Sequence, residues 1–383
     1  MSEFHSGRSF MTPAFEVHLN GASAGREVIA DVLDVSFNDD PNSIDSFEFS
    51  LNDWDPVAVA PKYSSPWDEE GRPRTLPDGG PPVPSFEPGT PVSLYLGYRD
   101  EGDLPLIMDA EVVSISTSFP ATGQPIAKVR ALDAFQRELQ RIWVEGNYSG
   151  TPKGIVDTLC QEHDIAVRWA PLEDEGEEEE RVAIDGPLYD TILARVKDYG
   201  LAMMTSREGV DVELLLARPG SDNAQPVAEF VWGRTLVDFS PVLSAAAQVS
   251  EVVARVADPD GEGADRAVEV VKTWSDIGLS PAAIGPTRAT DIDAAVRGMR
   301  EVIKPDGMTA EAAALARLRE LAAELITGSG TSIGLPELRS GRTVQLTGLG
   351  ARFSGLWRIT KTTHTLGASG YTTKFSARKE VLE

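Results

Sequence analysis

The stretch Gly341–Ala377 reads GRTVQLTGLGARFSGLWRITKTTHTLGASGYTTKFSA. Its segments Val344–Leu346 and Trp357–Ile359 alternate apolar, polar and apolar residues, which is the period of a β-strand with one buried face. Glycines lie between such segments, as in the turns of antiparallel β-structure. The stretch therefore predicts antiparallel β-structure, as in a small barrel or sandwich. It also contains His364, one of 4 histidines in the chain, which raises the question of whether the segment is scaffold or a chemical site.

A second stretch far upstream has the same organisation. Pro88–Leu94 and Ser340–Leu346 both contain Gly-x-x-Val-x-Leu. Further pairs of segments follow the same order: Leu33–Ser36 with Val237–Ser240, Phe47–Asp53 with Val252–Asp258, Val113–Ile115 with Trp357–Ile359, and Lys128–Ala131 with Lys374–Ala377. Single alternating segments resemble one another, and the alternative is two unrelated β-domains, but the shared order predicts a duplicated β-unit. His364 falls where the first copy has Phe119, so the repeat does not require a histidine.

The pattern between the two copies is different. Thr151 and Pro152 are typical of an N-cap and a first helical position, and apolar residues at helical spacing follow them. Pro187–Gly200 predicts a second helix that ends at Gly200, and a hairpin follows. We therefore predict a mainly β chain with an α/β part: a first β-barrel domain (1–138), a small α/β domain (139–225) and a second β-barrel domain (226–383) with a helical insertion at about 280–332.

Four local patterns complete the predicted fold. Val28–Asp40 is typical of a strand, and the alternation in Ser46–Asp53 indicates a half-buried strand. Pro56–Pro88 is rich in proline, glycine and charge and predicts a long loop; such loops usually reach a partner or are mobile. Within the insertion, Thr309 is the expected N-cap of a helix that Gly328 would end.

Charge and composition exclude several classes of function. The net charge is −25, from 35 basic and 60 acidic residues, and a surface that negative repels phosphate backbones and anionic lipid. No run approaches 18 apolar residues and no Sec signal opens the chain, so we expect synthesis in the cytoplasm and no membrane span. The single cysteine, Cys160, fits a reducing compartment; its helical context favours a small buried hydrophobe over a reactive thiol.

The residues that could carry chemistry do not form a known constellation. His5, His18, His163 and His364 lie in no HExxH or HxxxH arrangement, and P-loop and CxxC motifs are absent from the sequence. The acidic run Glu173–Glu180 lacks the Asp/Asn-Gly turn of a calcium loop and predicts a solvated loop. Carboxylate pairs for glycoside cleavage stay open, because acidic residues are abundant.

The segment around His364 is interpreted as scaffold. A histidine on a strand is more often packed or hydrogen-bonded than a ligand. The aromatic residues could stack on a sugar, but core or subunit-interface packing is favoured. The glycines indicate turns of a tight barrel, since no helix follows as in a dinucleotide fingerprint. The aromatic residues are Phe353, Trp357, Tyr371 and Phe375, and the glycines are Gly348, Gly350 and Gly355. We predict no catalytic, cofactor-binding or metal-binding residues and no enzyme.

Three segments carry a family resemblance. GRTLVDFSP (Gly233–Pro241), the segment Ser332–Leu366 and GYTTKFSA (Gly370–Ala377) resemble the phage late control D proteins, which are baseplate hub proteins of contractile tails related to the N-terminal hub part of VgrG spike proteins. The resemblance extends over nearly the whole chain. It includes the pattern GxPxLxxGxxVxLxGxGxxFxGxWxIxxxxH, which begins at Gly334.

The resemblance implies a homotrimeric ring of six barrel-like domains. Such a pseudo-hexameric ring joins the hexameric tail tube, or its initiator proteins, to a trimeric central spike. The sequence ends at Glu383, soon after the second β-domain, so the spike is expected to be a separate chain. Other implied partners are LysM-like and wedge proteins of the baseplate of a phage tail or injection particle. The alternative function is a carbohydrate- or cell-wall-binding protein or a tail-associated hydrolase.

Overall fold

A computed structural model describes residues 10–75, 82–170, 172, 178–198, 201–208, 211–217, 225–257, 267–277, 295–304 and 309–379. The fold is mainly β. The strands are β1 (Pro13–Leu19), β2 (Ala22–Ser23), β3 (Val32–Asp39), β4 (Ser46–Asn52), β5 (Trp54–Asp55), β6 (Ala60–Pro61), β7 (Pro91–Tyr98), β8 (Leu106–Ser118), β9 (Ile126–Asp133), β10 (Trp143–Gly150), β11 (Val167–Trp169), β12 (Glu179–Pro187), β13 (Ala202–Glu208), β14 (Asp211–Ala217), β15 (Ala228–Val231), β16 (Leu236–Leu243), β17 (Glu251–Ala257), β18 (Ala267–Thr273), β19 (Arg300–Ile303), β20 (Ile326–Ile333), β21 (Thr343–Thr347), β22 (Gly355–Gly367) and β23 (Gly370–Lys379). The α-helices are α1 (Arg26–Asp31), α2 (Ala134–Arg141), α3 (Pro152–Glu162), α4 (Leu188–Asp198), α5 (Ala310–Ala323) and α6 (Gly350–Phe353).

The chain divides into two compact units. The first comprises Met1–Glu138, Ser332–Arg339 and Thr362–Lys374. The second comprises Leu139–Thr331, Ser340–Lys361 and Phe375–Glu383. The three domains predicted from the sequence, and their barrel architecture, stay predictions.

The first unit is built on antiparallel strands in the order β2-β1-β7-β8-β9-β4-β3. The end of β22, Thr362–Leu366, pairs with β3 within this same unit. Strand β4 was expected to be half-buried; one face is fully buried, whereas Glu48 and Asn52 on the other face are partly exposed. Phe47, Phe49 and Leu51 supply one face, and Ser46 and Ser50 are small enough to be covered on the other.

The segment Val28–Asp40 is only partly a strand. Arg26–Asp31 forms α1, and β3 begins at Val32. Arg, Glu and Ala favour the helical conformation, and the turn brings Val28 into the core, where Ile29 also packs. The strand prediction is therefore wrong for the first part of this segment.

The long loop after β4 is organised around one buried carboxylate. Asp53 is 0% exposed. Its Oδ1 accepts hydrogen bonds from the backbone N–H groups of Lys62, Tyr63 and Ser64, at 3.0, 2.5 and 3.1 Å. The Ser64 hydroxyl donates to Oδ2. Tyr63 is thereby held in the core of the unit, so this part of the predicted loop is packed against the protein.

Replacing Asp53 by alanine is expected to lower the free energy of unfolding by about 3 kcal/mol, because the buried N–H of Tyr63 and the partly buried N–H of Ser64 lose their acceptor. Urea unfolding of both proteins measures the change. Asp68→Ala is the matched control: Asp68 accepts from the N–H groups of Glu70 and Arg72, but these donors are exposed and can bind water. If Asp68→Ala lowers the free energy of unfolding as much as Asp53→Ala does, burial is not the reason for the effect.

The second unit contains the predicted helices. Helix α3 begins at Pro152 with Thr151 as N-cap, whose side chain accepts from Gly154 N at 3.1 Å. Helix α4 covers Leu188–Asp198; its expected stop, Gly200, lies outside the described residues. Strands β10 and β12 pair with each other, and β11-β14-β13 form a separate sheet that includes the predicted hairpin.

Helix α5 also begins as predicted but ends earlier. The Thr309 side chain accepts from Ala312 N at 3.2 Å, and the last helical residue is Ala323. Gly328 does not end the helix; it lies in β20, where a Cβ would come within 2.5 Å of the Phe239 ring. Gly328 is therefore needed for the close approach of Phe239 and not as a helix stop.

One order of strands occurs twice along the chain. The first set is β1-β7-β8-β9-β4-β3, and the second is β15-β21-β22-β23-β20-β16. The two sets differ at one end, because β1 is antiparallel to β7 whereas β15 is parallel to β21. The strand of the second set that corresponds to β4 is β20. The proposed match of Phe47–Asp53 with Val252–Asp258 is wrong, since β17 lies in a separate sheet, β18-β17-β19.

Pairing also corrects the alignment of the long strands. Val92 lies opposite Ala110, and the matching Val344 lies opposite Trp357. Trp357 therefore corresponds to Ala110, and His364 corresponds to Thr117 rather than to Phe119. The residues Val113–Ile115 match a later part of β22 than was expected from alternation alone.

Candidate assembly surface

The glycine pattern that begins at Gly334 is structural. A Cβ on Gly334 would lie 2.1 Å from the Tyr371 ring, so no larger residue fits without movement of that ring. Gly334 N donates to the Tyr371 carbonyl at 2.9 Å, and the Tyr98 hydroxyl donates to the Gly334 carbonyl at 2.8 Å. Gly341 has φ 80°, a left-handed conformation that favours glycine, and its N–H donates to Ile359 O. These glycines position strands.

His364 is buried and fully hydrogen-bonded within the first unit. Its Nε2 lies 2.9 Å from the carbonyl of Leu338, which can only accept, so Nε2 carries the proton. Nδ1 then accepts from the Tyr371 hydroxyl at 2.8 Å, with Thr373 Oγ1 3.1 Å away. Burial, together with the nearby positive charge of Arg339, lowers the pKa of His364 to about 4. The imidazole is a neutral scaffold group, as the strand context indicated.

The buried imidazole predicts a loss of stability in acid. Its folded pKa of about 4 lies below the usual 6.5, so the unfolded chain binds the extra proton between these values. Stability is retained above pH 6.5 and falls by about 3 kcal/mol as the pH drops to 4. In His364→Gln this part of the pH dependence should be missing. Urea unfolding of both proteins between pH 7 and 4.5 measures this difference. If the free energy of unfolding depends on pH equally in the two proteins, His364 is not the cause.

One arginine faces three buried carboxyl groups beside this histidine. Arg339 Nε donates to Asp39 Oδ2 at 2.5 Å, and its Nη2 lies 3.6 Å from Asp45 Oδ2. Asp133 is also buried there. The guanidinium lies 4.5 Å from the Phe37 ring centroid. Burial and the neighbouring Asp39 carboxylate raise the pKa of Asp45 well above its usual range. No periodic pattern in the sequence marks this cluster, because its members lie at strand ends and between strands.

The aromatic residues of the opening stretch are mostly core. Trp357 is 0% exposed, donates from Nε1 to the Phe353 carbonyl at 2.8 Å, and meets Phe239 edge-on at 4.8 Å. Phe375 stacks on Phe239 and on Phe230. Buried rings offer no face to a sugar, which favours the packing interpretation over the sugar-binding one.

Other candidate groups are likewise not assembled into a site. Cys160 is buried, as expected, and burial raises the pKa of its thiol to about 12, so it is not reactive at neutral pH. Within the described residues, no cluster of three or more His, Cys, Asp or Glu side chains could hold a metal ion. Residues 173–177 of the acidic run lie outside the described residues. None of the helices that the structure describes has the length and apolar character to cross a membrane.

Among the described residues, exposed apolar side chains include some near the ends of β8 and β9 and on β16. Phe119, beyond the end of β8, is 64% exposed, and Ile126 at the start of β9 is 40% exposed. On β16, Val237 and Val242 are 59% and 54% exposed. Unpaired edges with apolar side chains are typical of surfaces that bind another chain.

Known proteins share this fold over nearly the whole chain. The 43 kDa tail protein of prophage MuSo2 from Shewanella oneidensis matches 97% of this chain and 100% of its own, with a TM-score of 0.63 and 13% identity. The E. coli c3393 protein, a component of the type VI secretion system, matches 96% of this chain and 78% of its own, with a TM-score of 0.52 and 10% identity. A chain of a PdpA–VgrG complex matches 96% of this chain and 65% of its own, with a TM-score of 0.53 and 7% identity.

These likenesses confirm, at the level of the fold, the resemblance to phage tail and VgrG proteins that the sequence indicated. No curated protein matches the chain by sequence. The family model described as the Alg8 N-terminal domain matches residues 84–368, which is well over half of the chain. The chain therefore belongs to the Alg8 N-terminal domain family.

Proposed function

We propose that this chain is the structural baseplate hub of a contractile phage tail or contractile injection system. The observation that carries the proposal is the strand order that occurs twice in one chain. The tail-protein fold over nearly the full length supports it. The side chains around His364 and Arg339 are buried and bonded to one another, which supports a structural role. We therefore propose that the protein is not an enzyme.

A duplicated unit has a geometric use. Three chains with two similar units each present six similar units around an axis. We infer a homotrimeric, pseudo-hexameric ring of six barrel-like domains that adapts a hexameric tail tube to a trimeric central spike. The domains are those expected from the sequence, 1–138, 139–225 and 226–383, with the α/β domain directed outwards.

The proposed partners follow from that position. The spike binds one face of the ring, and the tail tube or its initiator proteins bind the other. LysM-like and wedge proteins surround it in the baseplate. The protein is made in the bacterial cytoplasm, as a late control D-like hub, and enters the particle during assembly.

Electron microscopy of the purified full-length chain tests the proposal. Averaged end-on views are expected to show a ring of six similar lobes around a channel. The control is the same chain at low concentration, where single subunits should lack the ring. Particles of single-chain size at every concentration would contradict the hub, and hydrolysis of peptidoglycan by them would favour the alternative hydrolase.

A further inference from the structure

Strand β22 is paired along one edge by two different strands. Its first part, Gly355–Arg358, pairs with β21 of its own set. Its end, Thr362–Leu366, pairs with β3, the terminal strand of the other set, and these residues all belong to the first unit. The end of the long strand in one set therefore binds the edge strand of the other set.

The corresponding strand β8 has the first of these pairings and lacks the second. Its residues up to Glu111 pair with β7. Among the described residues, no strand pairs with that edge of Ser114–Ser118. The side chains reflect the difference: Leu366 is 9% exposed, whereas its counterpart Phe119 is 64% exposed.

In the second set, strand β16 occupies the position that β3 has in the first set, at the end of the strand order. It has eight residues, like β3, so Val32–Asp39 corresponds to Leu236–Leu243. Strand β16 ends the strand order, and the described part of the chain supplies no strand for its outer edge. Val35 and Phe37 are buried under the end of β22, but their counterparts Phe239 and Pro241 are half-buried.

The charge pattern allows two copies to meet at these edges. A net charge of −25 makes copies of the chain repel one another. Residues 112–127, which include the end of β8, contain no charged side chain, and 236–250 contain one, Asp238. Exposed edges are usually protected by charge, and here both are nearly free of it.

We propose that the β8 end of one copy pairs with β16 of a second copy, in the antiparallel register of β22 on β3. Thr365 lies opposite Ser36 within the chain, which places Ser118 opposite Ser240 between copies. Ser116 then lies opposite Val242. Pro241 lacks an N–H and removes at most one ladder hydrogen bond. The contact is head-to-tail and repeats around the ring. It rests on the proposed function and specifies which edges close the ring.

Engineered cysteines test this register. Opposed residues of an antiparallel pair have Cα atoms about 4.5–5.5 Å apart, within the range that a disulfide spans. The full chain with Ser118→Cys and Ser240→Cys is oxidised and run on a denaturing gel without reductant. Most of it is expected as disulfide-linked trimers. The control, Ser114→Cys with Ser240→Cys, moves one thiol by about 13 Å along the strand and should not cross-link. The native Cys160 is buried.

The outcomes separate the pairing from the function. Linked trimers in the matched variant alone support the pairing. A trimer by light scattering that does not cross-link, or that cross-links equally in the control, overturns the pairing and leaves the hub standing. A monomer at every concentration overturns both. Cross-linking within one chain, seen as a monomer of altered mobility, also overturns the pairing.

Discussion

Replacing Gly334 by alanine is expected to destabilise the protein by at least about 3 kcal/mol, the upper end of the cost of overpacking a core. The new Cβ would lie 2.1 Å from the Tyr371 ring. That ring cannot shift freely, because its hydroxyl bonds His364 and its carbonyl accepts from Gly334 N. Tyr98 packs 5.7 Å away on the same ring.

Urea unfolding gives the size of this effect. Gly186→Ala is the matched control: Gly186 lies in strand β12, and a Cβ there meets nothing within 4 Å. The clash also predicts that Gly334→Ala lowers the free energy of unfolding less in a Tyr371→Leu background, because the ring that the new Cβ meets is then absent. Equal losses in both backgrounds would show that the ring is not the cause.

Replacing Arg339 by methionine is expected to cost about 3–5 kcal/mol, as for other buried ion pairs that lose one partner. Methionine keeps much of the apolar stem but leaves Asp39, Asp45 and Asp133 without their shared cation. The destabilisation by Arg339→Met should be smaller in acid, because protonation relieves the repulsion among the three carboxyl groups.

The comparison with Arg339→Lys separates charge from geometry. Lysine keeps the positive charge but not the planar donors that reach Asp39 and the Ile107 carbonyl. Arg339→Lys should therefore lower the free energy of unfolding less than Arg339→Met does, when both are measured by urea unfolding at pH 7. A methionine variant within about 1 kcal/mol of the native chain would mean that the cluster contributes little.

Local chemistry allowed several elements to be predicted from the sequence. Thr151 and Thr309 cap α3 and α5 because hydroxyl side chains satisfy free N–H groups wherever a helix begins. The scaffold role of His364 also followed from its strand context. The fold class was inferred from alternation, which depends on neighbouring residues alone.

What the sequence did not predict depends on partners far along the chain. The residues of β17 are typical of a strand but do not say which sheet it joins; the structure places it with β18 and β19. The cluster around Arg339 unites residues 39, 45, 133 and 339, which are brought together only by strand pairing. Short apolar segments are ambiguous between helix and strand, as Arg26–Asp31 shows.

The mass of the native full-length chain in solution tests the hub most directly. Native mass spectrometry at micromolar concentration is predicted to give three times the mass of one chain. Dilution should lead to single chains without stable dimers, because a head-to-tail ring is completed only by its third member. A monomer at every concentration, or a closed twofold dimer, would contradict the account.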